Sequence, residues 1–221
     1  MKKTINILLV DDHPIIIDAY TTSINLFKEK NDLLNINIES ANNCEKALLL
    51  LENKCFDVAF LDVRIPSSSD TDFKSGEDIA LHIKKHFSQT KIIMITGHYD
   101  HFIFINLLNN INPFGLLFKG DVDQRIISET LESILNESPY YSKTILKLFR
   151  KNLSSNIVLN KIDKQILYEI SKGKKTKDLT ENIPLSIGGI EKRKRQLKEI
   201  FDVPKKDDED LLKSAKQKGY L

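Results

Sequence analysis

The sequence predicts an α/β protein: a doubly wound parallel sheet built from five (βα) units, followed by a small all-α domain. Five short, mostly apolar runs, "INILLV" (5–10), "INIES" (36–40), "DVAFL" (57–61), "KIIMI" (91–95) and "FGLLF" (114–118), have the length and composition of strands covered on both faces. Stretches with helical apolar spacing alternate with them at about 14–29, 43–53, 76–87, 100–110 and 123–137. The charge then changes sign. Met1 to Phe149 hold 15 Lys+Arg against 20 Asp+Glu, whereas Arg150 to Leu221 hold 18 against 11 and carry no strand pattern.

In chain order, the first strand stops at Asp11–Asp12, and the helix after it opens at Pro14. The connection "RIPSSSDTDFKSG" (64–76) is long and rich in Ser and Asp, which reads as an exposed loop. From Ser138 to Asn156 the pattern weakens around Pro139 and two serines, as in a linker that has room for a helical piece. Asn160 then caps a helix reaching Lys172, with Asp163 in its first turn and Gly173 closing it. A short helix over about 176–183 stops at Pro184, Ser186 caps a third over 187–201, and a fourth runs from about 207 to 218, ending at Gly219. The expected domains are therefore 1–138, a linker over 139–157, and 158–221.

With 221 residues and 41% hydrophobic content the chain can bury a core in either domain. The start "MKKTINILLV" imitates a signal peptide, but its apolar run ends at Val10 with no small-residue cleavage site after it. No stretch approaches the length of a membrane span, so the expectation is a cytoplasmic protein without a membrane partner. Cys44 and Cys55 stand outside any metal or disulfide spacing and read as reduced thiols.

Parallel α/β sheets bind ligands at the carboxyl ends of their strands. In this chain those ends carry Asp11 and Asp12, Asp62, Thr96 and Lys119. Neighbouring carboxylates repel and are costly to bury unless a cation offsets them, and a rim of hard oxygen ligands suits Mg2+ together with a phosphate. A carboxylate among them can act as a nucleophile toward phosphorus, with the metal and the lysine neutralising the transferred oxygens.

"LLVDDHP", "FLDVRIP", "IMITG" and "FGLLFKG" resemble, in order, the signature strands of the receiver domain of bacterial two-component response regulators, over about residues 1–138. The resemblance implies a flavodoxin-like (βα)5 fold in which Asp62 is the phosphoacceptor. It implies Mg2+ held by Asp12 directly, by Asp11 mainly through water, and by Asp62 and the main-chain oxygen of Arg64. Thr96 and Lys119 would each bind a phosphoryl oxygen. The chain departs from the family pattern in three places. The loop from Asp62 to Gly76 is about six residues longer than the family's, Leu116 stands where an aromatic switch residue is usual, and Arg64 and His98 occupy positions that tune dephosphorylation. His98 reads as a solvated loop residue.

In the basic half, "SIGGIEKRKRQLKEIF" places Ile190, Leu197 and Phe201 on one stripe and Lys192, Arg195 and Gln196 opposite, on the second helix of a helix-turn-helix arrangement. Residues 158–203 resemble the LuxR/NarL-type DNA-binding output domain through Leu159, Ile166–Leu167, Gly173, Asp178–Leu179, Ser186, Ile190, Leu197 and Phe201. Its DNA-facing positions map onto Glu191, Lys192 and Arg195, while the family's Thr, Lys and His become Gly189, Glu191 and Arg193. Glu191 would repel phosphates, yet a glutamate can also accept from cytosine N4. Gly188 and Gly189 fit either a close approach or a late helix start.

The implied function is a DNA-binding response regulator, not an enzyme, phosphorylated by a sensor histidine kinase and binding double-stranded DNA as a homodimer. The alternative is a phosphorylation-controlled interaction protein whose basic domain contacts another protein.

Overall fold

In a computed structural model, residues 2–66, 73–97, 104, 106–153 and 159–221 are described. Six parallel strands, β1 (Lys3–Val10), β2 (Leu34–Ala41), β3 (Val58–Asp62), β4 (Lys91–Thr96), β5 (Gly115–Phe118) and β6 (Tyr140–Tyr141), form one sheet in the order β2-β1-β3-β4-β5-β6. Helices α1 (Pro14–Glu29), α2 (Cys44–Asn53), α3 (Gly76–His86) and α4 (Gln124–Leu135) connect them.

Burial follows the pleat. Ile7, Leu9, Phe60, Ile93, Ile95 and Leu117 form one core with Tyr20, Ile24 and Phe27 of α1 and Ile127 and Leu131 of α4. Leu8, Val10, Ala59 and Leu61 are equally buried and alternate with them, pointing to the face where α2 packs on β2 and α3 on β3. Each helix start has a local cause. Pro14 pre-sets the first turn of α1, and the side chains of Asn43, Ser75 and Asp123 accept from the backbone N–H of Lys46, Asp78 and Ile126.

The described residues cluster in two compact units, one from 2–66, 73–97 and 106–146, the other from 104, 147–153 and 159–221. Where a linker is expected, β6 pairs with β5 and α5 (Lys143–Leu153) follows. In the second unit, α6 (Lys161–Ser171), α7 (Ile187–Ile200) and α8 (Asp208–Gln217) enclose Ile166, Leu167, Leu179, Ile190, Leu197, Phe201 and Leu211. Gly173 closes α6 and Gly219 closes α8, both at positive φ of 81° and 84°.

Two expected helices take other forms. The helix expected at 176–183 is a 3-10 turn, Asp178–Glu181, because Leu179 and Ile183 are its only buried anchors and the residue before Pro184 is disfavoured in the α region. Of the helix expected at 100–110, residues 100–103 and 105 lie outside the described residues, as do His98 and the centre of the 64–76 loop. Its described end, Leu107–Ile111, is a π-helical turn, closed when the Asn112 N–H donates to the Leu107 carbonyl at 3.0 Å with Asn112 at φ 51°.

Candidate functional site

The register places the strand ends together: Asp62 lies opposite Ile95 and Thr96 opposite Phe118, while Asp11 continues β1 by donating its N–H to the Ala41 carbonyl. The Lys119 ammonium then reaches across β5 to the carboxyl ends of both β1 and β3, 2.7 Å from Asp11 Oδ2 and 2.8 Å from Asp62 Oδ2. Asp62 Oδ1 accepts from the Arg64 N–H at 3.3 Å, and Asp11 Oδ1 from the His13 N–H at 3.0 Å. Asp11, Asp62 and Thr96 are buried, whereas Asp12 keeps part of its surface in water. Arg64 is exposed, and Thr96 closes β4 on the same rim.

Burial pushes the Asp62 carboxyl above its ordinary range; the hydrogen bond and charge of Lys119 offset part of that, and Asp11 adds to it. For Lys119, burial works against the ammonium, but Asp11 and Asp62 outweigh it and hold its pKa above the usual lysine value. Tyr20 is also pushed up, first by burial and then by the two carboxylates.

The oxygens fit a hard cation. Asp11 Oδ2 and Asp12 Oδ1 are buried acceptors that receive no aligned hydrogen bond, although the Lys119 ammonium lies 2.7 Å from the first and His13 Nδ1 2.8 Å from the second. Asp11, Asp12 and His13 are close enough to share one ion. Carboxylates suit Mg2+ and imidazole suits transition metals, so His13 belongs beside the carboxylates rather than among Mg2+ ligands. The sequence pattern assigns His13 no role, although its place directly after two aspartates is the available signal.

Gly76, visible in the sequence only as a loop end, has a second role. A Cβ there would lie 1.8 Å from the Asp62 carbonyl oxygen, so only glycine lets the first turn of α3 press against the end of β3. The Gly76 N–H donates to the Val63 carbonyl at 3.2 Å, which fixes the backbone just beyond Asp62.

In the second unit, Ser186 caps α7 by accepting from the Gly189 N–H at 3.2 Å, and Ile190, Leu197 and Phe201 face the core. Glu191, Lys192, Arg195 and Glu199 are exposed together with Gly188, where a Cβ would meet nothing within 4 Å. The basic run is not all outward. Arg193 turns in to pair through Nε and Nη2 with the buried carboxylate of Asp163, which also accepts from the Asn160 N–H in a capping box. Asp208 at the start of α8 holds Lys194 and Lys198, and Gln196 accepts from Arg193 Nη1 at 2.8 Å. Among the described residues, Lys192 and Arg195 are the α7 cations without an ion pair.

No helix of the chain is long and apolar enough to cross a membrane among the described residues. In known proteins, residues 7–140 match the family described as the response regulator receiver domain. Response regulator UvrY of Escherichia coli K12 is 24% identical over 190 residues, covering 82% of this chain and 81% of its own. Oxygen regulatory protein NreC of Staphylococcus haemolyticus is 23% identical over 226 residues, covering 97% and 98%. The fold is similar to that of RcsB in a complex with DNA, with a TM-score of 0.65 at 19% identity, covering 97% of this chain and 98% of that one. RcsB from Salmonella enterica serovar Typhimurium, bound to a promoter in the presence of phosphomimetic BeF3-, gives a TM-score of 0.64 at 18% identity, covering 95% and 97%. The receiver match spans more than half of the chain and takes in every rim residue from Asp11 to Lys119, so the chain belongs to the response regulator receiver family.

Proposed function

We propose that the protein is a DNA-binding response regulator of a two-component system, phosphorylated on Asp62 by a sensor histidine kinase to control transcription. The observation that carries this reading is the Lys119 ammonium shared by the buried carboxylates of Asp11 and Asp62 at the strand ends. An Asp62 carboxylate oxygen attacks phosphorus, the P–N bond to the kinase histidine breaks, and the leaving imidazole takes up a proton. Asp12, Asp62, the Arg64 main-chain oxygen and, through water, Asp11 would hold Mg2+, which would supply positive charge for the phosphoryl oxygens. Lys119 then exchanges a carboxylate partner for a phosphoryl oxygen, and the Thr96 hydroxyl donates to another. The chemistry modifies the chain itself, in keeping with a cytoplasmic regulator rather than an enzyme.

Residues 1–138 act as the receiver and 158–221 as the DNA-binding unit, with 139–157 between them. Glu191, Lys192 and Arg195 are exposed on α7, which follows the 3-10 turn Asp178–Glu181 and stands where a helix-turn-helix protein places its recognition helix in the major groove. A homodimer would present two such helices to half-sites about 10 bp apart or a multiple of that. Both UvrY and NreC are named as regulators, and RcsB is solved on DNA, which supports the reading. The exposed face of α7 carries Glu191 and Glu199 against Lys192 and Arg195, a balance that favours a second reading in which this unit meets a protein.

Titration against mixed genomic duplex DNA at two salt concentrations, with and without Mg2+ and an acyl phosphate, separates the two. The DNA reading expects binding that weakens steeply with salt and tightens with the donor in the wild type but not in Asp62→Asn. Confirmed phosphorylation of Asp62 with no DNA binding in any state would reject it in favour of the protein partner.

A further inference from the structure

The turn that carries Lys119 is fastened on both sides to the segment entering α5. Before the lysine, the Phe118 N–H donates to Ser142 Oγ at 3.0 Å. After it, the Asp121 carboxylate takes three donors: Ser142 Oγ at 2.7 Å and the Thr144 N–H at 2.7 Å on Oδ2, and Thr144 Oγ1 at 2.8 Å on Oδ1. Residues 119–121 form a single 3-10 turn closed by the Val122 N–H on the Lys119 carbonyl at 3.2 Å. Ser142 is fully buried, its N–H donates to the Leu116 carbonyl at 3.1 Å, and its own carbonyl accepts from the Leu146 N–H. Asp121 therefore caps α5 from a position 21 and 23 residues earlier in the chain than the groups it binds.

The arrangement is more than local capping. Asp121 has no bond to the strand-end carboxylates, yet it lies two residues from the lysine that does, and the residues of α5 from Lys147 onward belong to the second compact unit. Burial tends to raise the Asp121 carboxyl, but the bonds from Ser142 and Thr144 outweigh it and hold it below its ordinary range.

We propose that Asp121 is a positioning residue that joins the Lys119 turn and the first turn of α5 into one body, so that a change of partner at the Lys119 ammonium is passed to α5. The inference rests on Asp62 being the phosphoacceptor. If the clamped turn differs between phosphorylated and unphosphorylated states, α5 shares that difference, and by linkage the state of α5 biases the turn.

The test is hydrogen exchange on the full chain, with and without Mg2+ and an acyl phosphate, with phosphorylation read in parallel by intact mass. In the wild type, phosphorylation is expected to change exchange at residues 145–150 about tenfold, a usual size for coupling between sites. Asp121→Ala should still be phosphorylated on Asp62 while that change falls below about twofold. Thr144→Ser, which keeps both donors, should behave as wild type, and Thr144→Val, which loses the hydroxyl, should lie between. If Asp121→Ala fails to fold, the Thr144 pair carries the same comparison. A full-sized change at 145–150 in phosphorylated Asp121→Ala overturns the coupling, as does a phosphorylated wild type with no change there. A wild type that takes no phosphoryl group on Asp62 overturns the proposed function and the coupling with it.

Discussion

Replacing Lys119 with Met removes the only cation in contact with two buried carboxylates among the described residues, and the cost can be bounded. With no metal present, the folded protein can keep Asp11 and Asp62 charged and unpaired, a loss of about 3–5 kcal/mol for breaking a buried pair. It can instead protonate Asp62, whose carboxyl burial already pushes above its ordinary range. Starting from the unperturbed carboxyl value of 3.8, a proton taken up at pH 7 costs about 4 kcal/mol, and at pH 5 about 2 kcal/mol. The cheaper route sets the loss, so Lys119→Met should be destabilised by about 3–4 kcal/mol at pH 7 and by about 2 kcal/mol at pH 5. The sign follows from a folded-state carboxyl pKa raised above its unfolded value: the folded state then binds more protons, and stability falls as pH rises. Urea unfolding of both proteins in EDTA at pH 5, 6 and 7 measures the difference, and Mg2+ should restore part of it at pH 7. A loss under about 1 kcal/mol, or one that does not change with pH, would refute the view that Lys119 neutralises two buried charges.

Gly76→Ala drives a Cβ into the Asp62 carbonyl, so it should cost about 1–3 kcal/mol and slow phosphorylation of Asp62 by an acyl phosphate, read by urea unfolding and mass. Arg193→Met strands the buried Asp163 carboxylate and should cost about 3 kcal/mol; Arg193→Met with Asp163→Leu should recover most of it, which peptide-level hydrogen exchange would localise to the second unit. Gly188→Ala fills open space on a helix and should stabilise by up to about 1 kcal/mol, seen as a raised melting temperature. Burial tends to raise the Asp208 carboxyl, but Lys194 and Lys198 overcome it and hold it below the ordinary value of 3.8. Its stabilisation should be present above that value and fade as pH falls through the lower folded value, and Asp208→Asn should flatten the acid limb of a urea-midpoint profile.

Much of the first unit was legible because burial on both faces leaves apolar runs with sharp ends. Asp11, Asp62, Thr96 and Lys119 could be named from the residues that follow those runs. Strand β6 was not legible: Tyr140–Tyr141 is too short for any periodicity, and its pairing is decided by the partners of Phe114, Leu116 and Phe118. Spacing placed Lys192 and Arg195 outward on α7 but not the inward turn of Arg193. At 100° per residue Arg193 and Lys194 flank the apolar stripe at about −60° and +40° from Ile190, close enough for long side chains to fold back onto Asp163 and Asp208. Those two carboxylates lie 30 and 14 residues away in sequence, beyond the reach of a helical wheel.

The Gly76 N–H bond to the Val63 carbonyl has a consequence for how this surface can change over evolution. It brings the two described ends of the connection from β3 to α3 together at the Asp62 backbone, so both ends of that connection are fixed there. By the loop-closure relation, doubling the length of chain between fixed ends costs only about 0.6 kcal/mol. Extra residues can therefore accumulate between Arg64 and Ser75 at little thermodynamic cost and without moving the carboxylate. This makes the segment the natural place for the protein to acquire a partner preference of its own while the chemistry beneath it stays the same.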